Sequence, residues 1–497
     1  MMYAASKNDA PVALALQSLA SERLLAFLTT RRWFAAKGGS PTNARIADFV
    51  VLPWGDGAFA IARALIDLGG SEHAYQLAVA ARTTLGEIDR HSLVAPGVHD
   101  ATFDPEFRRG LADALSHGAT ARTGDAVWTA HSIAGATIAG HATLGSAEQS
   151  NTSIIFGDTA ILKLFRTLKA GVHPDVEVTE FLTTGAEFQN TPKLMATLTY
   201  EVGEVHYVAG MALAFLPDAT DAWSYALERG KAYFEAPIDR DAPNTFVDDA
   251  RQLGTITRAM HEALASHDDD PAFAPDMVTN EDVDRWAHRT QQSIRESLTL
   301  LAAQLSKKSL PAERIPEATA LISRRDHFLG WIDEIDDSIG DDLGMATRVH
   351  GDFHLGQVLR TQSGEFMIID FEGEPSRSIE DRRAKTSPLR DVAGMLRSFA
   401  YAAASLATSA KNIDPRTREL RIARWERDVR NAYLEGYLKP ADEDAAEILP
   451  EELAHTQQLI ALFEAEKVFY ELAYELNNRP AWVGIPMRGV SKLFVGR

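Results

Sequence analysis

Residues 349–375 read VHGDFHLGQVLRTQSGEFMIIDFEGEP. Two short apolar runs, VHGDFHLGQVLR and FMIID, flank the turn chemistry of QSGE. The period and the turn predict a β-hairpin. Its mouth gathers Asp352, Gln357 and Asp370, with His350, His354, Glu372 and Glu374 close in sequence. Phosphoryl transfer needs such a set: a carboxylate beside the accepting hydroxyl, and hard oxygen ligands for a magnesium ion on the phosphates. Asp352 suits the first task, Gln357 and Asp370 the second.

Outward from this island the chain is a long one of 497 residues, 45% hydrophobic and 24% charged, enough for two to four domains. Acidic residues outnumber basic ones 70 to 50, and the net charge of −20 argues against nucleic acid or an anionic membrane as partner. There is no cysteine, so neither a disulfide framework nor thiolate chemistry is available. The first twenty residues lack a signal-peptide layout, and the longest apolar stretch, SFAYAAASLATSA (398–410), is too short to span a bilayer. These features predict a cytoplasmic protein.

Residues 12–31 carry leucines at helical spacing. Three strand-like runs follow, ARIADFVVLP, AFAIARALIDL and HAYQLAVAAR, separated by WGDG and GGSE, which predicts a β-meander. A short helix over 104–117 precedes further strands in AVWTAHS, GHATLG, TSIIFGD, AILKLFR and the pair that ends at Pro217. Beyond 217 the pattern is helical. Val247, Ala250, Leu253, Ile256, Met260 and Leu264 share one face, and long amphipathic runs recur to Asn478. SHDDDPAF reads as a solvated acidic loop, and His261 as a structural residue on a helical face.

The motifs HGDFHLGQ and IIDFEGEP resemble those of the aminoglycoside-phosphotransferase-like branch of the protein-kinase superfamily. WFAAKG, AEQSNTSIIFGDTAILKLFR, DRRAKTSPLRDVAGMLRSFAYAA and EKVFYELAYELNNRPAWVGIPMRG, in that order, narrow the resemblance to the bacterial maltokinases over nearly the whole chain. The resemblance implies an α+β, bilobal protein-kinase-like fold. An N-terminal β-rich cap domain (1–95) would precede a β-rich N-lobe (96–217) and a mostly helical C-lobe (218–497). It also implies ATP- and Mg²⁺-dependent phosphorylation of maltose at its anomeric hydroxyl, feeding α-glucan (glycogen) synthesis, beside a trehalose synthase as functional partner.

Within that frame Lys163, in the strand AILKLFR, is expected on the phosphates. The resemblance favours Glu177 over Glu180 as its helix partner, although either also reads as a first-turn acid on the helix dipole. No G-x-G-x-x-G occurs. Ser150, Asn151, Thr152 and Ser153 are expected to offer amides and hydroxyls to phosphate. MALAFLP places Ala214 and Phe215 where backbone would meet adenine. Lys467, Tyr470, Tyr474, Asn478 and Arg479 are expected to line the sugar, with Trp482 nearby, although aromatics in a helix also suit a core. Asp391 is a further candidate for the sugar. Glu372, Glu374, Arg382, Arg383 and Arg390 are expected in an ion-pair network behind the metal, and His350 as a brace for the loop.

Three other readings compete. A metal-dependent hydrolase would use His350, Asp352, His354 and Asp370 as ligands, but no further histidine cluster supports it. A pseudokinase conflicts with the joint presence of base, metal ligands and lysine. A related kinase for glucosamine or an aminoglycoside would want a sugar wall richer in acids than this mixture of Lys, Arg and Tyr.

Overall fold

The computed structural model describes residues 10–34, 40–82, 93–145, 150–236, 243–340, 342–375, 377–410, 414–440 and 446–494. Residues 1–9, the AAKG of WFAAKG and the AEQ of AEQSNTS lie outside the described residues. The chain divides into two compact units, one of Met1–Thr183 and Pro192–Pro217, the other of Thr184–Thr191 and Asp218–Arg497.

The first unit opens with two short helices, α1 (Pro11–Gln17) and α2 (Ser21–Leu28), where the sequence suggested one. The predicted meander follows as β1 (Pro41–Val51), β2 (Phe59–Leu68) and β3 (Ser71–Ala81), extended by β4 (Leu93–Ala95) and β5 (Val98–Asp100) in the order β1-β2-β3-β5-β4. β2 and the second half of β3 read as almost continuous apolar runs because both faces are buried there. Ala60, Ala62, Ala64 and Ile66 turn toward α1 and α2, with Leu16, Leu24 and Phe27. Phe59 and Ile61 turn the other way, into a core with Phe107, Leu111 and Trp128.

That second core is shared with α3 (Pro105–His117) and a sheet of β6 (Ala119–Thr123), β7 (Ala126–Ser132), β8 (Ala142–Leu144), β9 (Asn151–Phe156), β10 (Ala160–Phe165), β12 (Leu194–Val202) and β13 (Val205–Ala214). The order is β6-β7-β12-β13-β10-β9-β8, while β11 (Thr167–Leu168) crosses to pair with β3. Helix α4 (Pro174–Glu180) follows β11, with Pro174 at its first position, where the missing N–H costs nothing.

The second unit holds α5 (Ala222–Glu235), α6 (Val247–Leu264), α7 (Asn280–Ser306), α8 (Ile315–Ser323), α9 (Arg325–Ser338), α10 (Ile379–Arg383), α11 (Leu389–Ser409), α12 (Pro415–Tyr437), α13 (Leu453–Asn478) and α14 (Gly484–Leu493). Glycine permits the close crossing of α6 and α12. A Cβ added at Gly254 would lie 2.0 Å from the Tyr433 carbonyl oxygen, and one at Gly436 would lie 2.1 Å from that of Arg251.

Two small sheets interrupt the helices. One pairs β15 (Asp276–Met277) with β16 (Met345–Ala346); the other joins β14 (Thr220–Asp221), β17 (Val358–Arg360) and β18 (Phe366–Ile368). The last two are the expected hairpin, in register Val358↔Ile368 and Arg360↔Phe366. Its outer edge is satisfied within the unit. Ile368 N donates to Asn190 O at 2.7 Å, and Thr191 Oγ1 donates to Ile368 O at 2.9 Å. No single described helix is long and apolar enough to cross a membrane.

Candidate active site

The loop that carries Asp352 is laid along one face of α11. Asp391 accepts from His350 N at 2.7 Å and from Gly351 N at 2.9 Å. One turn on, Gly394 leaves room for Phe353, since an added Cβ would lie 2.6 Å from the Phe353 carbonyl oxygen. A further turn on, Ser398 Oγ accepts from Leu355 N at 3.1 Å. Positions 391, 394 and 398 recur at helical spacing, so one straight face grips the loop from 350 to 355. His350, buried, completes the brace by placing Nε2 2.9 Å from Ile369 O on the return side of the hairpin.

This arrangement corrects the expectation for Asp391. Its side chain is almost fully buried and both oxygens are occupied, so it does not face a sugar. Burial alone would raise its pKa, but the His261 hydrogen bond and the loop amides outweigh that and hold the carboxyl below the usual aspartate range. The sequence signal was present as an acid, a glycine and a serine at 391, 394 and 398, but its meaning depends on what α11 packs against.

Ile369 N donates to Gln357 O at 3.0 Å, which places Gln357 beside the strand end that leads into Asp370. Asp370 adopts φ +71°, in the left-handed region that aspartate tolerates better than most side chains. Backbone in that region concentrates at functional sites. A carboxylate oxygen of Glu372 lies within 4.8 Å of one from Asp370. Glu372, expected in the ion-pair network behind, therefore joins Gln357 and Asp370 as a candidate ligand. An amide and two carboxylates form a hard-oxygen donor set, and that chemistry fits magnesium.

Asp352 is partly exposed, and its Oδ1 lies 3.5 Å from Lys467 Nζ on α13. Burial alone would lower the Lys467 pKa, but Asp352, Glu374 and Glu471 outweigh it and raise the value above that of an ordinary lysine. His354 is pushed the other way, chiefly by burial, although Asp352 and Asp370 oppose the shift. Its Nδ1 accepts from Gly356 N at 3.0 Å, which holds the tight turn before Gln357.

Lys467 opens a line of side chains along α13. Its ammonium lies 5.4 Å from the centre of the Tyr470 ring, which is 6.5 Å from that of Tyr474. Arg479 lies 5.3 Å from both Tyr474 and Trp482. Tyr470, Tyr474 and Trp482 are 39%, 44% and 36% exposed, so these aromatics form a surface and not a core. Asn478 turns its amide back on the Tyr474 carbonyl at 2.9 Å, as a helix-end residue does.

The acids of this wall are matched by cations. Glu466 meets Arg390 at 2.9 Å and Arg377 at 3.4 Å, and Arg377 also meets Glu374 at 2.9 Å. Arg397 meets Glu471 at 2.7 Å, and Arg479 meets Glu475 at 2.6 Å. Arg382 instead donates to the carbonyls of Arg377 and Pro375, which braces the backbone before α10.

In the first unit Lys163 Nζ lies 3.0 Å from a carboxylate oxygen of Asp175, which is 1% exposed, so Asp175 joins the expected Glu177 as a candidate partner of the lysine. Residues two apart on α4 point to different faces, and Asp175 occupies the face toward β10. Thr152 is also corrected. It lies on β9 with its side chain inward, and Oγ1 accepts from the buried Arg166 Nε at 2.7 Å. Asn151 and Ser153 are strand residues too, and only Ser150 stands outside the strand. The N–H groups of Ala214 and Phe215 are spent on Lys193 O and Thr159 O, at 2.9 and 3.1 Å. An adenine contact at these two residues would therefore fall to their carbonyls.

Residues 27–104 match the family model described as the maltokinase N-terminal cap domain. A glucosamine kinase of Streptacidiphilus jiangxiensis is 27% identical over 353 residues, covering 70% of this chain and 73% of that protein. A glucosamine kinase of Mycolicibacterium smegmatis is 26% identical over 341 residues, covering 68% and 76%. Among solved structures, a glucosamine kinase in complex with glucosamine, ADP and inorganic phosphate aligns at a TM-score of 0.66 and 22% identity, covering 95% of this chain and 99% of that one. The fold is the kinase-like one of that solved structure, and the segment that matches the maltokinase cap lies toward the N-terminal end.

Proposed function

We propose that this chain, kinase-like in fold and capped as the maltokinases are, is an ATP-dependent sugar kinase whose acceptor is maltose. The observation that carries the reading is Asp352, held on a clamped loop with Lys467 beside it and an exposed tyrosine line leading away. The acceptor's anomeric oxygen attacks the γ-phosphorus, the bond to the ADP oxygen breaks, and Asp352 takes the hydroxyl proton late in transfer. The product is maltose 1-phosphate. Lys163, aligned by Asp175, steadies the nucleotide phosphates, and Lys467 pairs with Asp352. Gln357 and Asp370, with Glu372 in reach, would hold magnesium, which would supply neutralisation of phosphate charge.

The choice of a neutral acceptor rests on charge. Glucosamine brings an ammonium group, which needs an unmatched carboxylate. Glu374, Glu466, Glu471 and Glu475 each face an arginine, and Asp352 faces Lys467. The second reading, glucosamine, is favoured by the names of the relatives. The proposal keeps the division into cap, N-lobe and C-lobe at 1–95, 96–217 and 218–497, a cytoplasmic setting, and a trehalose synthase as supplier of the acceptor.

The test is purified protein with Mg·ATP and a panel of maltose, glucose, glucosamine and trehalose. Product is read by mass and by loss of reducing ends. Maltose gaining one phosphoryl group and losing its reducing end is the expected result. Phosphorylation of glucosamine with maltose inert would overturn the acceptor assignment.

A further inference from the structure

The carboxylate that clamps the Asp352 loop is itself held from behind. His261 Nε2, on α6, lies 3.0 Å from Asp391 Oδ2, and His261 Nδ1 lies 2.9 Å from the Tyr437 hydroxyl at the end of α12. His261 and Tyr437 are fully buried. The Tyr437 ring meets the imidazole edge to face, with centres 5.7 Å apart. The glycine crossing of α6 and α12 brings the two together. Nε2 faces an acceptor, so it carries a proton. Nδ1 of the neutral ring is then an acceptor, and the Tyr437 hydroxyl is placed to donate to it.

We propose that Tyr437 and His261 are positioning residues for catalysis, acting in series through Asp391 on the loop that presents Asp352. Asp391 Oδ2 is shared between His261 and the His350 amide, while Oδ1 takes the Gly351 amide. A carboxylate with one fixed donor behind it has one orientation that serves both amides. With that donor gone it can rotate about its terminal bond and release one of them. Three helices, α6, α11 and α12, thus contribute to one chain of contacts that ends on the backbone of His350, two residues before the proposed base. The inference rests on the reading of Asp352 as that base.

The test compares Tyr437→Phe, which removes one oxygen, with His261→Gln and the double variant. Tyr433→Phe, one turn away on α12 and equally buried, serves as control. Hydrogen–deuterium exchange of the peptide spanning 350–355 is read beside kcat and both KM values. Tyr437→Phe is expected to raise exchange in that peptide and to lower kcat about five- to tenfold, with KM for ATP and acceptor nearly kept. The double variant should be no worse than His261→Gln, because the two act in series. Unchanged loop exchange in Tyr437→Phe and His261→Gln, or equal effects from Tyr433→Phe, overturns the inference. A chain that phosphorylates nothing in the panel would remove the reading of Asp352, while loop exchange would still decide whether this brace exists.

Discussion

Replacing Asp391 by asparagine isolates the clamp from everything else in the site. The carboxylate accepts three hydrogen bonds, from His350 N at 2.7 Å, Gly351 N at 2.9 Å and His261 Nε2 at 3.0 Å. In Asp391→Asn the oxygen keeps at best the pair at His350 and His261, and the new NH₂ faces the Gly351 N–H. One charge-assisted bond, about 1.5–3 kcal/mol, is lost, and the surviving two weaken as the charge disappears. A total near 3 kcal/mol, expressed at the loop, corresponds to roughly 10²-fold in kcat. The same cost should lower the urea midpoint of the unit that contains α11. The acid dependence adds a signed check. The folded carboxyl titrates below its unfolded value, so its stabilisation is present above about pH 4 and is lost as pH falls through the lower folded value. Asp391→Asn should remove that share of the acid sensitivity. Turnover kinetics and urea titrations at neutral and acid pH test all three points. A variant with kcat within about threefold of the parent and an unmoved midpoint would refute the clamp.

Asp352→Asn keeps volume but loses the proton acceptor, and kcat should fall roughly 10²–10⁴-fold with ATP affinity nearly unchanged, as measured by steady-state kinetics and nucleotide titration. Asp175→Asn should raise KM for ATP about tenfold, and Glu177→Gln should do less; the reverse order would make Glu177 the principal partner of Lys163. Gly436→Ala pushes a methyl group onto the Arg251 carbonyl, so it should cost at least about 2–3 kcal/mol and lower Tm, as read by calorimetry. Lys467→Met leaves Asp352 without its cation at the near end of the tyrosine line, so kcat/KM for the acceptor should fall about tenfold, and an unchanged value would count against the pair.

The parts of this protein legible in its sequence are those with local causes. The hairpin at 358–368 follows from two apolar runs and a turn, and α13 from a long run of apolar and charged residues without glycine or proline. The meander strands announce themselves through β-rich runs between glycine turns. Even Thr152 had a readable signal, since it shares strand parity with the buried Ile154 and Phe156. Helix α12 was harder, because its arginines and glutamates are dense and its apolar residues sparse. The break at Arg324 between α8 and α9 fell inside one continuous helical pattern.

Residue types and order alone established a kinase-like island, the oxygen-bearing side chains at its mouth, and a long amphipathic helix rich in tyrosine and charge. Packing decided the rest. That Asp175 meets Lys163 depends on how α4 is rotated against β10, and two acids in one helical turn carry no record of that angle. Whether Asp391 faces a sugar or a backbone depends on what lies along α11. The pairing of Glu466 and Glu471 with Arg390 and Arg397 of α11 is likewise a long-range matter, and on it rests much of the choice between a neutral and a charged acceptor.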